Sequence, residues 1–401
     1  MPMPLIKPLT FGAAITLAAC TPTARDSGSL ACISPDVPAA TDRAVFQPGA
    51  VTVAAVGDVL MHILLQQDAA DSPRGYEGQF VHAAPYLRMA DIAVANLEGP
   101  AARDVAPGGR DAATPETIFD GTVYSGFPNF NYHPSLVTAL GTSGVDLLQT
   151  GNNHALDRGA LGVDRTLQAI DGAGLASTGT RPRNDPARPW YGVVTAEGRR
   201  VAFLACSFST NGIADPNDQV LGCYGDERQV LAQIRALADD PAIAAVIFLP
   251  HWGAEYVETP GPEQRRLGRA ALEAGAAAVI GTHPHVLQPI EPYRTADGRD
   301  AFIAYSLGNF IASQWEISQR SSVILFFDLV PDGSGGLMAQ MPAWLPTRVM
   351  RYTSGLVVQP AEQAVDGQES LTHVARVLGE AGRLDLADIA RLQGRAICTA
   401  G

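Results

Sequence analysis

Val51-Thr52-Val53-Ala54-Ala55-Val56-Gly57-Asp58-Val59-Leu60-Met61-His62 opens the folded part of the chain with a short apolar, β-branched run that stops at a Gly-Asp turn. Such a run bounded by turn residues reads as a β-strand, and the turn leaves a carboxylate and an imidazole at the strand's carboxyl end. The pattern returns four times. Asn96-Leu97-Glu98-Gly99 follows the run 91–95. Gly151-Asn152-Asn153-His154-Ala155-Leu156-Asp157 follows 145–150, His251-Trp252-Gly253-Ala254-Glu255 follows 244–249, and Gly281-Thr282-His283-Pro284-His285 follows 276–280. These segments hold five of the eight histidines. A lone histidine or Gly-Asp turn is more often structural, but in α/β sheets strand carboxyl ends converge on one edge, where ligands bind.

Further apolar runs at 201–208, 301–305 and 322–329 continue the series, and amphipathic stretches at 161–173, 227–239 and 262–274 read as helices between them. This rhythm predicts an α/β protein with mixed sheets and helices outside. The Gly- and Pro-rich stretch 100–131 is too long for an ordinary connection. With Tyr124, Phe127, Phe130 and the following Tyr132, it reads either as an ordered loop over a cleft or as a satellite core. Beyond residue 371 the chain reads as one or two helices.

The 401 residues are 46% hydrophobic and 17% charged, enough apolar material for a large core. A formal net charge of −13 with no basic run removes the attraction that nucleic acid or an anionic membrane surface requires. An anionic substrate then needs a local reversal of the field, such as a bound metal.

Ahead of the fold, Lys7 precedes an apolar run over 8–19 that is too short to span a bilayer. Leu17-Ala18-Ala19-Cys20 has the form of a bacterial lipobox, so 1–20 is expected to be a signal peptide with Cys20 lipidated, ordinary signal cleavage being the alternative. Thr21 stands where Asp would favour inner-membrane retention, so the expected place is the bacterial cell envelope, and in a Gram-negative cell the outer membrane or periplasm. The composition of 21–48 is that of a flexible tether. Cys32, Cys206, Cys223 and Cys398 remain; pairing Cys206 with Cys223 closes a local loop, Cys32 with Cys398 clasps the chain ends, and four free thiols are the third possibility.

Mixed imidazole, carboxylate and carboxamide donors without cysteine suit one or two divalent ions such as Mn, Fe or Zn, and the expected chemistry is hydrolytic. The order Gly57-Asp58, Asn96-Leu97-Glu98, Asn152 to Asp157, His251-Trp252-Gly253-Ala254-Glu255, Gly281 to Val286, then Ser306-Leu307-Gly308-Asn309-Phe310 resembles the CapA, or poly-γ-glutamate capsule synthesis, family of calcineurin-like metallophosphoesterase folds. The resemblance covers about 51–330 and implies a four-layer αββα sandwich, two mixed sheets flanked by helices. It puts the folded domain at 49–345, with 346–401 as a helical extension packed on it.

The same resemblance implies metal ligands at Asp58, Asn153, His251, His283 and His285, with His154 protonating the leaving group. Two departures stand out. Leu60 occupies the place of the histidine in the superfamily's Asp-x-His, which His62 replaces only if the turn curls back, and the usual bridging carboxylate gives way to Asn96 and Glu98. Glu98 is the better bridge. Asp157, three residues beyond His154, is expected to orient that imidazole if both share a helical face, or to be a plain helix-terminal acid. Glu255, Glu291, Ser306 and Asn309 are candidate lining groups, and Trp252 is read as packing. His82, His133 and His373 are read as structural or exposed. The resemblance implies a part in capsule-like polymer biosynthesis or export, with an anionic envelope polymer and other capsule synthesis proteins as partners. The alternative is a metal-dependent hydrolase of a phosphoester or amide unrelated to polyglutamate.

Overall fold

In the strand Val51–Val59, Val51, Val53 and Ala55 point into one apolar layer while Ala54, Val56 and Val59 point into another. Burial on both faces is why the strand reads as a continuous apolar run. The computed structural model describes residues 31–33, 45–333, 335–392 and 397–399.

One sheet runs in the order Gly355–Pro360, Ala343–Tyr352, Ser321–Pro331, Val51–Val59, Ile92–Leu97, Leu147–Gln149, Ala176–Thr178. Its last four strands are parallel and its first three antiparallel. The second runs Leu287–Arg294, Asp300–Leu307, Ala278–Ile280, Ala245–His251, Arg199–Ser207, Tyr191–Ala196, parallel at its centre with an antiparallel strand at each edge. Val53, Val94, Leu325 and Phe327 from the first meet Phe203, Ile247, Ile280 and Phe302 from the second. Helices Ile63–Asp71 and Ser135–Thr142 cover the outer face of the first sheet through Leu65, Leu136 and Leu140. Glu227–Ala238 and Pro262–Glu273 cover the second through Val230, Ile234, Leu267 and Ala271. The result is the expected four-layer αββα sandwich.

Two boundaries differ from the sequence reading. The segment from 346 is not a purely helical extension. Strand Ala343–Tyr352 crosses the expected domain end at 345, and Gly355–Pro360 follows it as the sheet edge before helices Gly367–Leu378 and Leu386–Leu392. The end of the tether is docked as well, since Asp328 accepts from the backbone N–H of Phe46 at 3.0 Å and of Gln47 at 2.7 Å and fixes Thr52 Oγ1 at 2.7 Å. The signal segment and Cys20 lie outside the described residues.

Cys206 and Cys223 form a disulfide, their Cα atoms 4.9 Å apart. Strands Ala31–Ile33 and Ile397–Thr399 pair antiparallel with Cys32 opposite Cys398 in the backbone register, and the side chains of that pair lie outside the described residues. Among the described residues no helix is long and apolar enough to cross a membrane.

Candidate metal centre

Each sheet ends its parallel strands at the same edge, and the backbone there is shaped to turn side chains inward. At Gly57 a Cβ would lie 1.8 Å from the Gly308 carbonyl oxygen, so only glycine lets Val51–Val59 approach that turn, where Asp58 N–H donates to the same oxygen at 2.9 Å. His283 and His285 have φ of 98° and 58°, a left-handed backbone that is uncommon for residues other than glycine and marks a constrained functional turn.

Asp58, Glu98, Asn153, His251, His283 and His285 are all brought together and buried. His285 Nδ1 lies 3.0 Å from Asp58 Oδ2, and His251 Nε2 lies 2.8 Å from Asn153 Oδ1 and 3.6 Å from Glu98 Oε1. Glu98 Oε1 is also 3.7 Å from His285 Nε2. Donor atoms of Glu98, His251 and His283 lie within 4.8 Å of one another, as do those of Asp58, Glu98 and His285. Glu98 belongs to both groups. Glu255, exposed at the mouth, groups in the same way with His283 and His285.

Neither carboxylate oxygen of the fully buried Glu98 has a hydrogen-bond partner, and His283 Nδ1 has none either. A buried carboxylate left in that state is costly. Burial drives Glu98 well above the usual carboxylate range despite the nearby His285. Burial alone would lower His285, but Glu98 and Asp58 outweigh it and raise the group to about 9. Glu98 and His285 are thus both held above their usual ranges, with His285 Nδ1 set against Asp58. Burial together with the neighbouring imidazoles lowers His283 to about 3 and holds His251 well below the ordinary histidine range. Neutral imidazoles beside unpartnered carboxylate oxygens are the donor set a divalent cation requires. The residues fit the group.

Several neighbours hold these donors in place. Asn96 Nδ2 donates to Asp58 Oδ1 at 2.8 Å, and Asn152 Nδ2 donates to Asn96 Oδ1 at 3.2 Å. Thr282 Oγ1 meets His251 Nδ1 at 3.0 Å, and Asn309 Oδ1 meets His285 Nδ1 at 3.0 Å. Phe208 packs on His283 with ring centroids 4.3 Å apart. Asn152 and Thr282 sit inside the quoted segments, but the sequence gives no sign of their positioning role. Phe208 and Asn211, which accepts from Asn153 Nδ2 at 3.2 Å, carry no motif at all.

His154 Nδ1 is 2.8 Å from Asp157 Oδ2, so its Nε2 is the nitrogen left for the cleft. The two share a turn rather than a helix, because Asp157 N–H donates to His154 O and the helix begins only at Gly159. His62 is at the cleft wall, lowered to about 4 by burial and by the His285 charge, and its ring meets Phe130 edge-on. It stands outside the three ligand groups found among the described residues. Glu291 is held on the outer surface by Arg265, Arg269 and Tyr305. Ser306 serves the turn, bonding Val286 O and receiving Gly308 N–H. Trp252 is packing, fully buried with Nε1–H on Tyr305 O.

An αββα sandwich with a buried His, Asp, Asn and Glu cluster at the joint edge of its sheets is the class that fold and site define. Residues 52–314 match the family described as bacterial capsule synthesis protein PGA_cap, and the chain belongs to that family. It is 28% identical over 288 residues to the capsule biosynthesis protein CapA of Bacillus anthracis, covering 71% of this chain and 65% of that protein. The match therefore spans less than two thirds of that relative's length. It is 27% identical over 281 residues to the PGA biosynthesis protein CapA of Bacillus subtilis, covering 70% of this chain and 68% of that protein. Among solved structures, the NAD nucleotidase NadN of Haemophilus influenzae aligns with a TM-score of 0.46 at 10% identity, over 86% of this chain and 59% of that one.

Proposed function

We propose that the protein is a lipid-anchored envelope component of capsule-type polymer biosynthesis or export whose cleft hydrolyses a phosphoester in a metal-dependent reaction. The observation that carries the reading is Glu98, a buried carboxylate with no hydrogen-bond partner that belongs at once to the group with His251 and His283 and to the group with Asp58 and His285. Both Bacillus relatives are named for capsule or PGA biosynthesis, which supports the envelope setting.

Asp58, Glu98, Asn153, His251, His283 and His285 would hold one or two divalent ions, whose chemistry is to polarise a phosphoryl oxygen and lower the pKa of water. Asp157 accepts from Nδ1–H of His154, fixes the ring's direction and favours its imidazolium form, in which Nε2 also carries a proton, facing the cleft. When the ester P–O bond breaks, that proton goes to the departing oxygen, water supplies the new oxygen on phosphorus, and a water proton restores His154. Asn96 and Asn309 keep Asp58 and His285 from rotating.

The test is metal analysis of the full-length protein together with a screen of phosphoesters and γ-glutamyl peptides. Bound Mn, Fe or Zn with chelator-sensitive phosphoester hydrolysis is expected. Cleavage of γ-glutamyl peptides alone would move the chemistry to an amide. Leu60, standing where the superfamily carries a ligand histidine, favours a second reading in which the cleft holds polymer without cleaving it. Polymer binding with no hydrolysis, unchanged in His154→Ala, selects that reading.

A further inference from the structure

Phe127 is 70% exposed, yet the loop that carries it is firmly held. The fully buried Arg158 donates from Nη1 to Asn129 O at 3.0 Å and from Nη2 to Ser125 Oγ at 2.6 Å and Thr122 O at 3.3 Å. Phe130 N–H donates to Asp157 Oδ2 at 2.7 Å, so the carboxylate that orients His154 also ties down this loop. At Gly126 a Cβ would lie 2.6 Å from Ile63 Cγ1, which shows how closely the loop seats on the start of the neighbouring helix. The Phe130 ring meets His154 edge-on at 4.8 Å, and Phe127 extends the wall outward with its ring 6.4 Å from that of Phe130.

We infer that this wall is the leaving-group subsite and that it selects a phosphoester whose departing alcohol carries an apolar ring or chain. The inference rests on the hydrolytic reading above. His154 Nε2 delivers its proton to the departing oxygen, so whatever that oxygen carries lies beside His154 and therefore against Phe130 and Phe127. A side chain with a large exposed apolar area, held on a pre-set loop, loses little freedom when it covers a ligand.

The experiment measures binding of benzylphosphonate and ethylphosphonate, in which carbon replaces the bridging ester oxygen, to the full-length Mn-loaded protein by calorimetry. Wild type is expected to prefer benzylphosphonate. Phe127→Ala should reduce that preference by about three- to tenfold, as loss of an aromatic pair predicts, while Phe127→Tyr keeps it. Because Phe127 is exposed, the substitution leaves the core intact. Equal affinity for both ligands in wild type, or a preference unchanged in Phe127→Ala, overturns the inference and leaves the metal-dependent reading standing. Failure of both ligands to bind the Mn-loaded protein overturns the hydrolytic reading, and this one with it.

Discussion

Glu98 is fully buried with no hydrogen bond to either carboxylate oxygen, and its nearest neighbours are the imidazoles of His251 at 3.6 Å and His285 at 3.7 Å, surroundings that suit a carboxylate able to ligate a cation. Replacing it with the neutral isostere should separate function from stability. Glu98→Gln is expected to lower metal content sharply while leaving the chelated protein at least as stable, since an amide costs less to bury than a carboxyl group whose burial already drives it well above its usual range. Metal analysis and urea midpoints read the two effects; unchanged metal content would remove Glu98 from the ligand set. His154 predicts the opposite division. His154→Ala should keep its metal while hydrolysis falls by about a hundredfold or more, whereas His283→Ala should lose both. The ligand residues were legible because each follows an apolar run that ends abruptly. Thr282, Asn152 and Phe208 were not, because hydroxyl, carboxamide and phenyl groups acquire a role here only from the imidazole or carboxamide that folding places beside them.

At the level of elements, the disulfide gives the clearest test. Cys206 lies next to the last residue of strand Arg199–Ser207 and Cys223 precedes helix Glu227–Ala238, both fully buried, with a sequence separation of 17. Closing a loop of that length restricts the unfolded chain, so replacing both cysteines with serine should cost about 3 kcal/mol. Denaturant unfolding of the oxidised wild type against the double variant measures it, and equal midpoints would show that the bridge adds nothing. The central strands were legible from their continuous apolar runs, the edges less so. Leu287–Arg294 carries Pro289 and Pro292, which speak against a strand, but it lies at the edge of its sheet, where a missing N–H can be tolerated. Pro346 is tolerated inside strand Ala343–Tyr352 for a related reason. It faces Val323 on one side, while on the other the pairing with Gly355–Pro360 ends at Thr347, so no ladder partner is lost there.

For the whole molecule, the anchor and the charge make the remaining predictions. Cys20→Ser should release the protein from the membrane fraction or stop its processing, since the proposed attachment depends on acylation there; an unchanged membrane fraction on immunoblots would refute the lipobox reading. The net charge of −13 sets a second expectation for any anionic polymer. Among the described residues no arginine bonds or pairs with Asp58, Glu98, Asn153, His251, His283 or His285, and the His285 charge is already paired with Asp58 at 3.0 Å, so a polyanion entering the cleft depends on a bound metal for attraction. Chelated protein and poly-γ-glutamate should therefore repel. Salt screens that repulsion over a distance of about 8–10 Å at physiological ionic strength, so the weak association of chelated protein should strengthen as salt rises. A basic polymer-binding groove would show the reverse, because salt weakens its attraction. Loading Mn should turn the dependence around, giving tighter binding that weakens with added salt as the metal's attraction is screened. Sedimentation of labelled polymer with and without chelator, at low and moderate salt, reads both signs. Tight, chelator-resistant binding that weakens with salt would place the polymer on a positively charged surface away from this cleft.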